Sequence, residues 1–597
     1  MVYYEKEQEN LSENLRISAT EKLTIHILDG LDLSSTFSFD NTETKDHVYY
    51  SRNHFSGVSD NGVVNEMTTN YQSILSSTVL SYNKTFKEKH TLSVLAGFEA
   101  EDKDTRFQRA TGKNLPSSSL HTVATAADYD ANGYSWGNSM VSILSKAEYN
   151  YDGRYYISGS YRRDGSSKLS DAARWGNFWS VAASWKINNE KFMQDADWVS
   201  NLRLRASYGV NGTLPSDNYG WRALAGYGYP YQTTPGGALT NTANSNLSWE
   251  TSYTSNVAVE FGFWDQRLYG TVEYFNRDSK DLLQDVPIST ITGFSSTLQN
   301  VGEINNHGVE VEIGGDIIRK KDLTWDATVT ASFIDSKVTK LYGGQDIIWS
   351  DPTGGDGRVD FIYREGESTL AYYGYEWAGV NPQNGLNLAY VNGTPEEEQE
   401  LVNKGVAFLY KGRAVVEDND YKNYANRKIL GDANPAVFGG INTNLTWKGI
   451  NLGLNFTYRL GSTIYDALSQ HLDDDGWAYE RVRSKHTYEN RWKEEGQITH
   501  QPKLLGSDPT LGRNETSTRR MHNGDYLRLK TITLAYNFPK ALVSKIGLGS
   551  ARVYFNGQNL LTFQSYKLLE PEVTAYGTRG WETPLAKTYT FGLEISF

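Results

Sequence analysis

The 597-residue chain contains no cysteine. That excludes a disulfide framework, thiolate metal sites and a cysteine nucleophile, and it leaves the compartment open because exported bacterial proteins also go without cysteine. Long apolar runs are missing as well. Nowhere do 18 apolar residues follow one another, so no transmembrane helix is encoded. The opening residues, Met-Val-Tyr-Tyr-Glu-Lys-Glu, lack the apolar centre of a signal peptide. Positive charge is in deficit: 58 Lys and Arg against 71 Asp and Glu give a net charge of −13, which argues against a nucleic-acid groove. The 10 histidines show no HxxxH or HExxH spacing, and the 54 glycines have no triplet period, so a helical zinc site and a collagen are both excluded.

Aromatic residues are present in excess. They reach 13%, with 40 Tyr, 22 Phe and 15 Trp, although hydrophobic residues total only 38%. Disordered chains are poor in aromatics, so the chain folds. A polar, aromatic-rich chain without long apolar segments leaves two classes. One is a large soluble β protein. The other is a transmembrane β-barrel, in which every second residue faces a polar lumen.

Alternation favours the barrel. In NLGLNFTYRL, Leu452, Leu454, Phe456, Tyr458 and Leu460 share one face, while Asn451, Asn455, Thr457 and Arg459 share the other. Trp325, Ala327, Val329, Ala331 and Phe333 alternate with Asp326, Thr328, Thr330 and Ser332. The same period of two runs through Tyr155–Arg162, Trp179–Lys186, Asn256–Phe263 and the terminal TYTFGLEISF. In these segments the apolar face carries no charge, whereas the other face carries Asp, Glu, Lys and Arg. About ten residues of such alternation is the length that crosses a bilayer at a tilt. LRLKTITLAYNF breaks phase between Leu529 and Ile532, which predicts a bulge near Lys530–Thr531.

Connections alternate in length. Short turns are expected at 28–31, 86–89, 151–154, 264–267, 318–322 and 448–450. Long Gly/Asn/Ser-rich loops are expected at 46–66, 104–134, 210–246, 282–298, 340–366, 393–434, 463–523 and 564–583, with short helices near 394–402 and 480–492. This is the asymmetry of outer-membrane barrels, with the short turns periplasmic. About nineteen strands are counted, two of them at 367–380 and 385–391. An odd count with a periplasmic C-terminus starts the first strand outside the cell.

The later segments resemble the SusC-like (SusC/RagA) family of TonB-dependent outer-membrane transporters. The strings that carry the likeness include SGSYRRDGSSKLSDAARWGNFWSVAASWKINNEKFM at 158–193, TGFSSTLQNVGEINNHGVEVEI at 292–313, GDYLRLKTITLAYNFPKAL at 524–542 and ARVYFNGQNLLTF at 551–563. They follow one another in family order along nearly the whole chain. The resemblance implies an all-β fold: a transmembrane antiparallel barrel of 22 strands, plugged in the family by an N-terminal domain. It also implies TonB-driven import of oligosaccharides or peptides under a SusD-like surface lipoprotein. Residues 1–597 are then expected to form the barrel domain alone, without signal peptide, plug, TonB box or first three strands, and hence without coupled transport of their own.

Candidate contact residues follow from position. Arg162 and Asp164 are expected on the lumen side near the outer rim, touching plug or substrate or forming a structural network. Trp221, Tyr227, Tyr229 and Tyr231 lie in a long loop, where they either stack on sugars or pack within the loop. Tyr589, Phe591 and Phe597 on the last strand resemble the signal read by the barrel-assembly machinery. Asp473, Asp474 and Asp475 lack the spacing of a known calcium loop and read more simply as solvated. No nucleophile elbow or phosphate loop is present, so no enzyme, cofactor or metal is indicated. Two other readings remain: a secreted soluble β-rich glycan-binding protein, and the non-functional remnant of a truncated transporter gene.

Overall fold

The computed structural model describes residues 7–229, 232, 234, 236–351, 359–473, 483–504, 515–567, 570–581 and 583–597. Seventeen strands belong to one large sheet. They are β1 (Gln8–Leu28), β2 (Leu31–Tyr50), β3 (Val63–Phe86), β4 (His90–Lys113), β5 (Asp128–Tyr151), β6 (Tyr155–Ser166), β7 (Trp175–Lys186) and β8 (Val199–Thr213). They continue as β9 (Glu250–Phe263), β10 (Leu268–Pro287), β11 (Ser296–Lys320), β12 (Leu323–Lys340) and β13 (Val437–Trp447). The last are β14 (Ile450–Leu460), β15 (Tyr526–Asn537), β16 (Ser550–Gln564) and β17 (Thr588–Ser596). No described helix is long and apolar enough to cross a membrane.

The chain divides into two compact units. The first comprises Met1–Asn189, Arg205–Ser255 and Ser279–Gly302; the second comprises Glu190–Leu204, Asn256–Asp278 and Glu303–Phe597. In the first unit, β1 to β7 pair antiparallel in chain order. In the second, β11 to β17 do the same.

Register sorts the side chains. Leu80 of β3 faces Leu33 on β2 and Ala96 on β4. Phe98 faces Ile143, and Ile157 faces Ala183 and Tyr149. Phe98, Ile143, Ile157, Trp179, Val181, Val329 and Phe333 are all exposed, as the apolar faces read from the sequence require. On the opposite face Ser77, Glu99, Ser142 and Asp164 lie in one cross-strand row. Rings collect at the short-turn end of the apolar face. Tyr155 stacks between Tyr151 and Trp185 at 6.3 and 6.5 Å, with Arg154 over both tyrosines. Such a girdle marks a membrane–water interface.

The turns fall where the pattern placed them. Asp152 and Gly153 both have positive φ, as do Lys87 with Glu88 and Lys448 with Gly449; the last pair forms a two-residue hairpin turn between Trp447 and Ile450, the others lie in three-residue loops closed by Phe86–His90 and Tyr151–Tyr155. Ladder register shifts on both sides of Lys530, so the predicted bulge is there, and it returns Ile532 to the face of Leu454.

Two expectations change. First, 367–380 and 385–391 are not wall strands. They supply the short strands Ala371–Gly374, Trp377–Val380 and Asn387–Tyr390 of two separate four-stranded sheets inside the connection between β12 and β13. Four-residue strands buried on both faces leave too few alternations to be told from a membrane strand. Second, strand runs into the expected loops at 46–66 and 104–134 from both ends, covering 46–50, 63–66, 104–113 and 128–134. β3, β4 and β5 each run 24 residues. At ~3.3 Å per residue that is about 80 Å, whereas about 9–11 residues cross the hydrocarbon. Beyond the hydrocarbon both faces meet water and the apolar alternation ends, as at Asp102, Asp104 and Arg106, although the ladder continues.

The buried hydrophobic residues lie mainly in the connections rather than in the wall. One cluster joins Tyr375, Ala389, Val391, Val416 and Tyr421, and a second joins Val359, Phe361, Tyr372, Ala433 and Tyr465. The expected helices are present: α1 (Pro395–Asn403), with Thr394 and Glu397 in a reciprocal capping box, and α2 (Lys485–Asn490), capped by Ser484.

Candidate ligand-binding site

The polar face of the first unit holds the best-defined candidates. Alternation on β6 turns Arg162 and Asp164 to the same side. The Arg162 Nε donates to both carboxylate oxygens of Asp164 at 2.7 and 3.0 Å. Its two terminal nitrogens donate to Glu99 on β4 at 3.0 Å and to Ser142 on β5 at 2.8 Å. Ser77 on β3 donates to the same Glu99 carboxylate at 3.1 Å. One guanidinium thus ties β4, β5 and β6 together, and Asp164 is almost fully buried. With one N–H on each of its three nitrogens engaged, this guanidinium fixes the wall's polar face.

The other predicted residues lie elsewhere. Trp221 packs beside Leu169, Phe178, Leu247 and Trp249, with Arg222 over its ring at 4.7 Å. In that cluster Phe178 meets Trp249 edge-on at 5.1 Å, and only glycines fit beneath: a Cβ on Gly212 would stand 2.1 Å from the Phe178 ring. Tyr227 and Tyr229 are 84% and 58% exposed around a small hairpin. Tyr231 lies outside the described residues, as do Asp474 and Asp475. Asp473 accepts from Thr487 Oγ1 at 2.6 Å and from Ser484, which holds α2 in place. On β17, Phe591 and Tyr589 lie 5.1 and 6.4 Å from the Phe555 ring, and Phe597 is exposed at the strand's end.

Sequence reasoning missed a cavity of about 550 Å³ on the polar face of β3–β5, outside the apolar band. Its floor is a pair of rings, Tyr134 and Trp136, stacked at 5.2 Å with 27° between planes; Phe107 extends the row at 5.0 Å. Tyr71 and Lys103 stand beside them on β3 and β4, and the segment 216–219 forms the far side. That segment is laced to the wall. The Tyr219 hydroxyl accepts from the Gly137 amide at 3.1 Å and donates to its carbonyl at 3.3 Å. Asn138 donates to Asn218 at 3.2 Å, and Lys168 donates to the carbonyls of Pro215 and Ser216, each at 3.0 Å. The signal was in the phase: Tyr134 and Trp136 share parity with Ser142 and Lys146, not with the apolar Val141 and Ile143.

In the second unit, charge holds connections to strands. Arg528, buried on β15, pairs with Glu570 and Glu572, and Lys530 reaches Glu572 at 3.0 Å. Arg427 bridges buried Asp360 at 3.1 Å and Glu515 at 2.8 Å. Burial pushes the Tyr465 hydroxyl up to about 12, so it stays protonated and donor-competent. No group of three metal-ligating side chains occurs among the described residues.

A wall of long antiparallel strands, uncharged and apolar on one side and polar on the other, defines an outer-membrane β-barrel. The chain belongs to the TonB-dependent receptor family: residues 4–390 match its β-barrel, described as TonB dependent receptor-like. It is 29% identical over 592 residues to TonB-dependent receptor P3 of Formosa agariphila, covering 96% of this chain and 57% of that protein. It is 28% identical over 481 residues to TonB-dependent receptor SusC of Bacteroides thetaiotaomicron, covering 78% of this chain and 44% of that one. In structure it superposes on the RagAB peptide transporter with a TM-score of 0.83 at 27% identity, over 100% of this chain and 63% of that chain. The chain thus spans between 44% and 63% of the length of these relatives.

Proposed function

We propose that this chain is the barrel portion of a TonB-driven importer that carries nutrient oligomers, oligosaccharide or peptide, across the outer membrane. The observation that carries this reading is the two-faced wall. Its outward face suits lipid, and its inward face carries an ordered polar network and an aromatic cavity of ligand size. The chain's relatives are receptors and transporters rather than catalysts, in keeping with the absence of catalytic motifs in the sequence. TonB is the energy-coupling partner in this reading, and a SusD-like surface lipoprotein covers the long connections. The barrel-assembly machinery reads the last strand through Tyr589, Phe591 and Phe597.

The test is uptake of labelled oligosaccharide and peptide pools by cells carrying the gene in its native locus, with and without TonB. Import that needs both the gene and TonB supports the reading. Uptake unchanged by loss of either removes it. Deleting Phe597 is expected to lower surface levels of the protein, and unchanged levels would remove the assembly role of the last strand.

A further inference from the structure

The outward face of the β6–β7 pair carries a single charge. Along β6 that face reads Tyr155, Ile157, Gly159 and Tyr161, and then Arg163. Parity sets Arg163 opposite to Arg162 and Asp164, and the ladder places it between Ile143 of β5 and Asn177 of β7. Eight residues separate it from Tyr155 in the short-turn girdle. At ~3.3 Å each and a tilt of about 40° they rise about 20 Å, which leaves Arg163 about 5 Å inside the outer edge of the apolar band. Among the described residues its guanidinium has no hydrogen bond and no carboxylate partner. The residues around it on that face, Val141, Ile143, Tyr161, Trp175, Asn177 and Trp179, are all neutral. A cation at the edge of the hydrocarbon, unanswered by the protein, calls for an anion from the membrane side.

The patch is shaped as well as charged. The Arg163 Cζ lies 5.1 Å from the centre of the Trp175 ring. That ring covers the place of the side chain Gly165 lacks, since a Cβ there would stand 2.8 Å from it. Trp175 is two residues further out than Asn177, so the contact draws the guanidinium toward the headgroups and leaves its N–H edge open. Beside it the Tyr161 hydroxyl donates to Oδ1 of Asn177 at 2.8 Å. That bond uses the amide's acceptor and leaves its two N–H donors, which have no partner among the described residues. A cation and amide donors with no carboxylate complement a phosphate, whose oxygens only accept. Inward along the band, the exposed Ile143, Ile157, Trp179 and Val181 offer a surface for acyl chains. The outer leaflet of an outer membrane is lipopolysaccharide, whose glucosamine anchor bears phosphate above several such chains. We infer that Arg163, Trp175 and Asn177 form a binding site for the phosphate of an outer-leaflet lipopolysaccharide. The site bears on how the wall is seated in the bilayer and is independent of the cargo.

The experiment is native mass spectrometry of the purified full-length protein released from detergent micelles. The probes are phosphorylated lipid A, the same lipid A with its phosphate removed, phosphatidylglycerol and inorganic phosphate. Phosphorylated lipid A is expected to bind, and Arg163→Gln to weaken it by about tenfold or more, the scale of one charged hydrogen-bonded contact. Arg163→Lys keeps the charge but loses the planar fork and is expected to retain part of the affinity. Asn177→Leu is expected to lose about threefold, the scale of a neutral donor. Lys448→Gln, which removes a cation beside Trp447 at the short-turn girdle, leaves binding unchanged. Electrophoretic mobility without boiling confirms that each variant is folded. Lipid A binding indifferent to Arg163→Gln overturns the inference, as does equal binding of the dephosphorylated lipid. Arg163-dependent binding of phosphatidylglycerol as tight as that of lipid A, or displacement of lipid A by inorganic phosphate, overturns the ligand class. Loss of a co-purifying protein from the Arg163→Gln variant, with lipid A retained, shows that a protein covers the patch and overturns it too.

Discussion

Val181 tests which face meets lipid. On the β6–β7 pair, Tyr155 lies opposite Trp185 near the short turns, and Gly165 lies opposite Trp175 at the other end. Those ten residues, at ~3.3 Å each and a tilt of about 40°, rise about 25 Å, the height of the apolar band of such barrels. Val181 sits between the two levels, half exposed, and Gly159 opposite it on β6 has no side chain to shield it. An arginine there would place its charge within a few ångströms of the midplane, and the barrel should lose about 2–4 kcal/mol. Ala182 is its neighbour on the polar face, opposite Ser158, whose other partner is Glu148. Ala182→Arg should cost about 0.5 kcal/mol or less, because its guanidinium stays in water. The assay is reversible guanidinium unfolding of both variants from lipid vesicles, followed by tryptophan fluorescence. Equal costs at the two positions, or the larger cost at Ala182, would refute the assigned orientation.

Further outcomes follow from the connections. Gly212→Val should force the Phe178–Trp249 pair apart and lower stability by about 1–3 kcal/mol, read as a drop in Tm. Thr394→Ala removes one half of the α1 capping box and should cost about 1 kcal/mol locally, read as faster amide exchange at residues 396–398. Burial holds His522 below its ordinary value of 6.5, with Arg520 lowering it further and Asp466 opposing. Its neutral form is therefore the one the fold accommodates. Stability is complete above pH 6.5 and declines as pH falls toward the depressed value, where the unfolded chain binds more protons. Limited proteolysis between pH 7.5 and 5 should show the small sheet containing Met521–Asn523 loosening on acidification, and His522→Gln should flatten that profile.

The wall was legible wherever lipid imposed a period. Tyr155 to Tyr161, Val329 to Phe333 and the bulge at Lys530 were all readable, because an apolar solvent outside and water inside leave every second residue no choice. The turns were legible because two adjacent positive-φ residues call for Asp-Gly or Lys-Gly pairs. Above the membrane that constraint vanishes, and the outer ends of β3 to β5, such as 104–113, carry no alternation that tells them from loop. The sheets between β12 and β13 were misplaced for a related reason: strands of four residues, such as Asn387–Tyr390, contain too few alternations to reveal their partners. Arg162 and Asp164 could be set on one face by parity alone. The cavity could not be found that way, because Gly137 and Tyr219 meet across 82 residues of sequence.

The wall and its connections satisfy their apolar groups in different solvents, and this bears on how such a protein can be changed. The 341–436 connection carries its own buried clusters, yet it leaves from β12 and returns on β13, which are adjacent and paired from Leu323–Trp447 to Ser332–Phe438. Beyond that pairing β12 runs on to Lys340, so at ~3.3 Å per residue the ends of the connection stand roughly 20 Å or more apart. Any segment that folds in water with termini at that separation can be exchanged there without disturbing a single lipid-facing residue. A barrel built this way is a socket. Recognition elements can be traded at its outer rim, by recombination or by an engineer, while the hairpins at the other end hold the ladder in register.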